Sequence, residues 1–274
     1  MTINCKGKLI DLDDPKVMGI LNLTPDSFYD GGRYKNERDI LEQVEKMITL
    51  GATFIDLGAY SSRPGADDVS TDEELRRLLP VLDLVLDKFP EALVSIDTFK
   101  AKVAREALNQ GAAMINDISA GQLDEAMLDV IAEHHVPYIM MHMRGNPKTM
   151  QELTSYDDLV QEIIYYFSER LSLARSKGII DVIIDPGFGF SKTLEQNYKL
   201  LNNLDLLTIT DRPILAGVSR KSMIYKLLGT DAQNALNGTT ALNMLALQKG
   251  ASILRVHDVA EAMECIQIYR QLTV

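Results

Sequence analysis

The sequence predicts an α/β protein, a single (β/α)8 TIM barrel with a short N-terminal hairpin. Short apolar runs alternate with amphipathic stretches along the 274 residues, which is typical of βα units around a parallel sheet. There are eight such runs, and about 250 residues is the usual size of an eight-unit barrel. No Gly-x-Gly-x-x-Gly pattern follows the first run, which disfavours a doubly wound dinucleotide-binding sheet.

The eight apolar runs mark the predicted barrel strands in chain order. They are Val17–Leu21, Thr53–Leu57, Leu93–Ile96, Ala113–Ile115, Pro137–Met141, Val182–Ile184, Ile214–Ala216 and Ile253–Leu254. Residues 2–13 precede the first strand, and we expect them to form a hairpin over the barrel floor. Because no Pro/Gly/Ser-rich linker interrupts the pattern, residues 1–274 are predicted to form one domain.

Five segments between these runs carry apolar residues at helical spacing. They are Glu37–Leu50, Leu75–Val85, Val103–Leu108, Leu159–Leu171 and Leu236–Leu247. Four of them are followed by glycines, which commonly end helices: Gly51, Gly111, Gly178 and Gly250.

The composition excludes several classes of function. A formal net charge of −11 repels nucleic acid phosphates and anionic membrane surfaces. No apolar run reaches the length of a membrane span, and Met1–Lys8 lacks the apolar core of a signal peptide, so we expect a cytoplasmic protein. The two cysteines, Cys5 and Cys265, fit neither a zinc motif nor a disulfide framework.

Polar residues follow every predicted strand, at the barrel end where active sites form. Asp97, Asn116 and Asp185 follow the third, fourth and sixth strands. Two carboxylates and an amide can bind a ring edge that presents several N–H donors and a carbonyl, as a pterin does. The flanking apolar residues indicate a slot for a flat ring: Ile118, Met141 and Phe190. A magnesium site, or ordinary turns and helix caps, are the alternatives.

A second, basic set indicates an anion site. Lys221, Arg255 and His257 follow the seventh and eighth strands, whose loops commonly bind phosphate in such barrels, and Asn22 lies across from them. Ser222 would begin the next helix, whose N-terminal N–H groups attract anions. The alternative is a salt bridge between Arg255 or Lys221 and a strand-end aspartate. Asp258 is interpreted as a cap of the last helix.

Two loops are longer than a compact barrel needs. The first covers 22–36, and the second contains Ser61-Ser62-Arg63-Pro64-Gly65. Long loops in compact domains are commonly functional, and their glycines would let them fold over a ligand. Ordinary surface loops are the alternative.

These motifs, in this order, resemble those of dihydropteroate synthases. The matching segments are Asn22-Leu23-Thr24-Pro25-Asp26-Ser27-Phe28, Asp30-Gly31-Gly32, Ser62-Arg63-Pro64-Gly65, Ser95-Ile96-Asp97-Thr98, Asn116-Asp117, Asp185-Pro186-Gly187-Phe188-Gly189-Phe190, Ser219-Arg220-Lys221-Ser222 and Arg255-Val256-His257-Asp258. The resemblance covers the chain from about residue 16 onward. One departure is Tyr60, which stands where the family commonly has a glutamate.

The resemblance implies a transferase of folate biosynthesis that joins 6-hydroxymethyl-7,8-dihydropterin diphosphate to p-aminobenzoate and releases pyrophosphate. It implies that the pterin is held by Asp97, Asn116, Asp185 and Lys221, with Met141 and Gly217 completing its pocket. It implies Mg²⁺ on Asn22 and the diphosphate on Arg255 and His257. The p-aminobenzoate would be surrounded by Phe28, Ser62, Arg63, Pro64, Ser219 and Ser222.

The same resemblance assigns the catalytic roles to Asp97, Asp185, Lys221 and Arg255, and implies a sulfonamide-sensitive homodimer formed through helices near the C-terminus. Two other functions remain open at this point. One is a pterin-dependent methyltransferase with the same acidic pocket, and the other is a non-catalytic pterin-binding paralogue. Neither would require the whole set of Lys221, Arg255 and His257 beside the Ser-Arg-Pro loop.

Overall fold

The computed structural model describes residues 1–23, 37–60 and 69–272. Within them, eight parallel strands form a closed barrel, as the alternating apolar runs predict. The barrel strands are β3 (Lys16–Asn22), β4 (Phe54–Gly58), β5 (Leu93–Asp97), β6 (Met114–Asp117), β7 (Tyr138–Met141), β8 (Val182–Asp185), β9 (Ile214–Ala216) and β10 (Ala251–Val256). β10 pairs with both β3 and β9, which closes the ring.

Helices surround the barrel and bury its outer face. The α-helices of the described ranges are α1 (Glu37–Thr49), α2 (Thr71–Lys88), α3 (Ala101–Asn109), α4 (Met127–His134), α5 (Leu159–Ser176), α6 (Leu194–Asn202), α7 (Ser222–Leu228), α8 (Leu236–Gln248) and α9 (Val259–Leu272). A 3-10 helix follows α6 at Leu204–Thr210. The five helices predicted from apolar spacing are confirmed. No helix in the described part of the chain is both long and apolar enough to cross a membrane.

The N-terminal hairpin closes the floor of the barrel, as predicted. β1 (Thr2–Cys5) pairs antiparallel with β2 (Lys8–Asp11). Ile3, Cys5 and Leu12 are buried in one apolar cluster with inward residues of the barrel strands, among them Met18 and Phe54. Because apolar side chains fill this end, the polar strand ends at the opposite, carboxyl side form the mouth.

The register of the parallel strands brings the predicted site residues together at that mouth. Asp97 on β5 is the direct partner of Asn116 on β6. Met141 on β7 is the partner of Asp185 on β8 in the same way. Side chains far apart in sequence therefore become neighbours through strand pairing alone.

Candidate active site

An arginine shared by two aspartates occupies the mouth of the barrel. The guanidinium of Arg255 donates from Nε to Asp56 Oδ2 at 2.6 Å and from Nη2 to Asp97 Oδ2 at 2.7 Å. Asp56 is fully buried, and the side chains of Asp97 and Arg255 are 16% and 19% exposed. The structure thus has the salt bridge that was the alternative for Arg255, and the acidic and basic sets do not lie on separate flanks. The predicted role of Arg255 in binding a diphosphate stays a prediction.

The buried carboxylate of Asp56 supports two neighbours in the site. Its Oδ2 accepts a hydrogen bond from Asn116 Nδ2 at 3.1 Å as well as the bond from Arg255. Asp56 therefore orients the amide that is predicted to face the pterin. A buried carboxylate inside an otherwise apolar strand was the available signal, because unpaired burial of such a charge is costly.

Asp185 and Lys221 form the second polar group of the mouth. Asp185 Oδ1 accepts from the backbone N–H of Gly187 at 2.7 Å. A Cβ at Gly217 would lie 3.8 Å from Lys221 Nζ and 3.9 Å from Asp185 Oδ2, so the missing side chain leaves room beside both groups. The ammonium of Lys221 lies 4.9 Å from the centre of the Phe190 ring. Lys221 therefore accompanies Asp185 rather than the predicted phosphate set.

The turn after β8 is held by a buried lysine that sequence reasoning missed. Lys192 Nζ donates to the carbonyls of Gly187 and Phe190 at 3.0 and 2.9 Å, and lies 3.0 Å from His142 Nδ1. Burial holds the pKa of Lys192 and of His142 well below their usual ranges. Gly187 has φ +71°, and a Cβ there would lie 2.1 Å from the His142 carbonyl oxygen. The turn that carries Phe190 is thus packed so closely that it has no room for a side chain at Gly187.

Apolar side chains line up beside these polar groups, as predicted. Ile118 and Met141 are buried together in one cluster with Met143 and Met150. The partly buried ring of Phe190 packs against this cluster, as does that of Phe99. A flat heterocycle whose edge reached the carboxylates would place its faces among such groups.

The segments after β9 and β10 are joined by two polar contacts. Ser219 Oγ lies 3.0 Å from His257 Nδ1 and accepts from the His257 backbone N–H at 3.1 Å. Arg220 binds the Asp258 carboxylate through two bonds of 2.8 and 2.7 Å. Asp258 directly precedes α9, and its carbonyl accepts from the N–H of Ala262, so its interpretation as a helix cap stays a prediction. Ser222 does begin α7, as predicted.

The turn alternative applies to Asp117 and also to Asp185, whose carboxylate accepts from the N–H of Gly187 two residues later. Asp117 accepts from the N–H and hydroxyl of Ser119, from the N–H of Gly121 and from the Tyr138 hydroxyl. The N–H of Ala101, at the start of α3, binds Asp124 instead of Asp97. Asp97 is therefore not held in place as a cap.

Burial dominates the electrostatics of the mouth. Burial raises the pKa of Asp97 to about 7, against the opposing charge of Arg255 and with the help of Asp56. It also raises the pKa of Asp185, which Lys221 opposes, and lowers the pKa of Lys221 to about 8. For Arg255, burial alone would lower the pKa, but Asp56 and Asp97 outweigh it and raise the pKa. Asp97 and Lys221 thus change charge near neutral pH, which is common at functional sites.

Asn22 lies at the end of β3, next to the acidic group. A Cβ at Gly58 would lie 3.6 Å from both Asn22 Oδ1 and Asp97 Oδ2, so the two oxygens border the same space. No group of three or more His, Cys, Asp or Glu side chains in the described ranges could hold a metal ion. A hard cation such as Mg²⁺ accepts few protein oxygens when water and substrate phosphates complete its shell, and the Asn22 oxygen fits that type of site.

Four predicted site residues lie outside the described ranges: Phe28, Ser62, Arg63 and Pro64. Tyr60, which departs from the family motif, is described. Its ring meets that of Phe99 edge to face at 5.1 Å and 88°, and the Lys100 ammonium lies 5.4 Å from its centre. The aromatic face of Tyr60 thus contacts the Lys100 ammonium at the position where the family commonly has a glutamate.

Comparison with known proteins agrees with this geometry. The model of the pterin binding enzyme family matches residues 18–257. The dihydropteroate synthase of Escherichia coli K12 is 44% identical over 98% of this chain and 95% of its own length. The Yersinia pestis dihydropteroate synthase, solved with a sulfonamide drug complex, superposes with a TM-score of 0.94 at 41% identity, covering 100% of this chain and 99% of that one. The Xanthomonas albilineans enzyme in complex with 7,8-dihydropteroate gives 0.88 at 36% identity, with coverage of 100% and 99%. The chain belongs to the dihydropteroate synthase family of pterin-binding enzymes.

Proposed function

We propose that this protein condenses 6-hydroxymethyl-7,8-dihydropterin diphosphate with p-aminobenzoate to 7,8-dihydropteroate and pyrophosphate. The observation that carries the proposal is that Asp97, Asn116 and Asp185 lie at strand ends around one mouth, where Arg255 binds Asp97 and Asp56. In the reaction the arylamine nitrogen forms a bond to the pterin methylene carbon. The bond from that carbon to the diphosphate oxygen breaks, and the amine proton passes to solvent.

The pterin ring is bound by hydrogen bonds that also stabilise its developing charge. Carboxylates accept from ring N–H groups, and the Lys221 ammonium donates to a ring carbonyl or nitrogen. As the carbon–oxygen bond breaks, the methylene becomes cationic. Asp97 and Asp185, fixed in a partly dry site, stabilise that positive charge without having to reorganise.

The leaving diphosphate is bound by Arg255 and His257. Arg255 keeps its proton at any working pH, because its pKa is raised by two carboxylates. Mg²⁺, when bound at Asn22, supplies further neutralisation of the diphosphate. His257 is oriented by its bond to Ser219, which holds it toward the mouth from β10.

The p-aminobenzoate is bound by Phe28, Ser62, Arg63 and Pro64, together with Ser219 and Ser222. An arylamine is already neutral at pH 7, so the reaction requires no strong general base. A sulfonamide resembles p-aminobenzoate in shape and charge, and we expect it to compete for the same site.

One assay tests the function against its alternatives. Pyrophosphate release should require the pterin diphosphate, p-aminobenzoate and Mg²⁺ together, and chelation with EDTA should abolish it reversibly. A pterin-dependent methyltransferase would release no pyrophosphate but would transfer a methyl group from methyltetrahydrofolate to a corrinoid protein. A non-catalytic paralogue would bind the pterin in calorimetry and do neither.

We also propose a cytoplasmic homodimer formed through the helices near the C-terminus. Support comes from large apolar side chains left exposed there: Leu227, Leu228, Leu245, Ile268 and Leu272. Contiguous exposed apolar surface commonly marks an interaction site. Light scattering should give twice the 30.5 kDa of the chain, whereas a monomer would refute this part of the proposal.

A further inference from the structure

The turn after β8 connects three groups that are proposed to contact the pterin. The N–H of Gly187 donates to Asp185 Oδ1 at 2.7 Å. The ammonium of Lys221 donates to the carbonyl of Phe188 and lies 4.9 Å from the centre of the Phe190 ring. A change in the course of this turn would therefore displace all three side chains together.

Lys192 binds the same turn at both of its ends. Its Nζ donates to the carbonyl of Gly187 at 3.0 Å and to that of Phe190 at 2.9 Å. The third contact of Nζ is His142 Nδ1, at 3.0 Å. A protonated lysine donates all three bonds, whereas a neutral one donates two and accepts the third from the imidazole. In both states the two carbonyls are bound by one side chain.

The burial of Lys192 indicates that these bonds have a purpose other than stability. Lys192 is only 4% exposed, and burying an amine is costly unless hydrogen bonds replace those made to water. The bonds of Nζ largely offset that cost, so we expect their main effect to be on the course of the backbone. The turn needs such a restraint, because Gly187 and Gly189, with φ +71° and +84°, give it little preference for one course.

A second, uncharged contact holds the residue that follows the turn. Ser191 Oγ donates to the carbonyl of Arg144 at 3.0 Å and accepts from the Arg144 N–H at 2.9 Å. The Tyr156 hydroxyl donates to the carbonyl of Ser191 at 2.9 Å. Because Ser191 carries no charge, its replacement can loosen the turn without changing the charge near Asp185.

We propose that Lys192 is a positioning residue that fixes the turn after β8 and so sets the affinity for the pterin ring. The proposal rests on the proposed function, because it takes a pterin as the ligand of Asp185 and Lys221. Lys192 acts on this ligand through the backbone of the turn, which contacts both of those side chains directly. The amine site is separate, since Ser219 is held from β10 by His257.

Calorimetric titration with the pterin diphosphate and Mg²⁺, in the absence of p-aminobenzoate, tests the proposal. Lys192→Met keeps the length of the side chain and removes its donors, and we expect it to raise the Kd about tenfold. Lys199→Met is the control, because Lys199 is exposed on α6, and its Kd should stay within about twofold of wild type. A Kd for Lys192→Met that rises less than about threefold would overturn the proposal.

Steady-state kinetics of pyrophosphate release separates positioning from a general loss of folding. A destabilised protein has fewer active molecules, which lowers the apparent kcat and leaves both KM values unchanged. Positioning by Lys192 instead raises the KM for the pterin diphosphate about tenfold in Lys192→Met, while the KM for p-aminobenzoate at saturating pterin diphosphate changes less than about threefold. A lower kcat with unchanged KM values, or an equal rise in both KM values, would count against Lys192 as a positioning residue.

Ser191→Ala keeps the test decisive if Lys192→Met folds poorly. The substitution removes one oxygen and no charge, and it leaves the bonds of Lys192 in place. It should raise the Kd for the pterin diphosphate about threefold or more, with little change in the KM for p-aminobenzoate. An unchanged Kd would refute the proposal, because any effect of Lys192→Met would then come from the lost charge and not from the course of the turn.

The two proposals fail in different ways. If wild-type protein binds the pterin diphosphate but releases no pyrophosphate with p-aminobenzoate, the proposed function fails, and the Kd values of the variants still decide the role of Lys192. If wild type releases pyrophosphate and all variants bind the pterin diphosphate equally, only the role of Lys192 fails. Wild-type protein that does not bind the pterin diphosphate would overturn both.

Discussion

Replacing Asp97 by asparagine should make the protein more stable and less active at the same time. The substitution keeps the shape of the side chain and an oxygen that can accept from Arg255 Nη2, now 2.7 Å away. It removes a negative charge whose burial raises the pKa from 3.8 to about 7. About three pKa units at about 1.4 kcal/mol each correspond to roughly 4 kcal/mol.

The pH dependence of that cost has a definite sign. Below pH 3.8 Asp97 is protonated in both the folded and the unfolded chain, so its full contribution to stability is present. Between pH 3.8 and about 7 the unfolded chain has released the proton while the folded chain retains it, and stability falls as pH rises. Above pH 7 the loss is complete. The Asp97→Asn variant should therefore match wild type near pH 4 and exceed it by up to about 4 kcal/mol at pH 8.

Urea denaturation at pH 5, 6, 7 and 8 measures the stability difference, and pyrophosphate release measures activity. We expect kcat to fall about 10²- to 10³-fold, because a fixed charge that stabilises the transition state is lost. A variant that is less stable than wild type at pH 8 would show that Asp97 serves the fold through its ion pair. Unchanged kcat would remove Asp97 from the chemistry.

Three further changes test neighbouring parts of the site. Asp117→Asn is a matched control. It should lower the free energy of unfolding by about 2 kcal/mol or more with little change in kcat, because an amide would turn N–H groups toward donors such as the Tyr138 hydroxyl. A kcat that falls as far as in Asp97→Asn would contradict this. Gly187→Ala should raise the KM for the pterin diphosphate about tenfold, because its Cβ would lie 2.1 Å from the carbonyl oxygen of His142, which follows Met141. An unchanged KM would refute the argument. In wild type, kcat/KM should rise with pH up to about pH 7 as Asp97 ionises, and fall above about pH 8 as Lys221 loses its proton. The rising limb should be absent from Asp97→Asn, and the falling limb should be absent from Lys221→Met.

The fold could be predicted because barrel strands are short apolar runs separated by amphipathic helices. Ile214–Ala216 has the predicted bounds, and every other predicted run overlaps its strand. The poorest match is the last strand, predicted as Ile253–Leu254 and observed as Ala251–Val256. Arg255 interrupts the apolar pattern there, since it turns inward to bind Asp56. Polar residues that line the mouth break the periodicity that reveals the strand.

The pairing of site residues could be predicted only in part. Strand order places Asp97 beside Asn116, and that follows from local pattern and topology. The hydrogen bond between Arg255 and Asp56 joins residues 199 positions apart. No local sequence pattern specifies which aspartate an arginine will bind. Lys192 was missed because its role depends on a tight turn at Gly187. Its sequence neighbourhood looks like an ordinary polar loop.

The ion pairs at the mouth explain how an acidic chain can accept an anionic substrate. With a formal net charge of −11, the protein as a whole repels a diphosphate. Locally, Arg255 stays protonated between Asp56 and Asp97, while burial raises the pKa of Asp97 to about 7, so Asp97 carries only part of its negative charge near neutral pH. If the donors of a pterin ring bind Asp97, as proposed, they compete with the guanidinium of Arg255 for that carboxylate. Under the proposed function, the positive charge of Arg255 would then be available to the diphosphate.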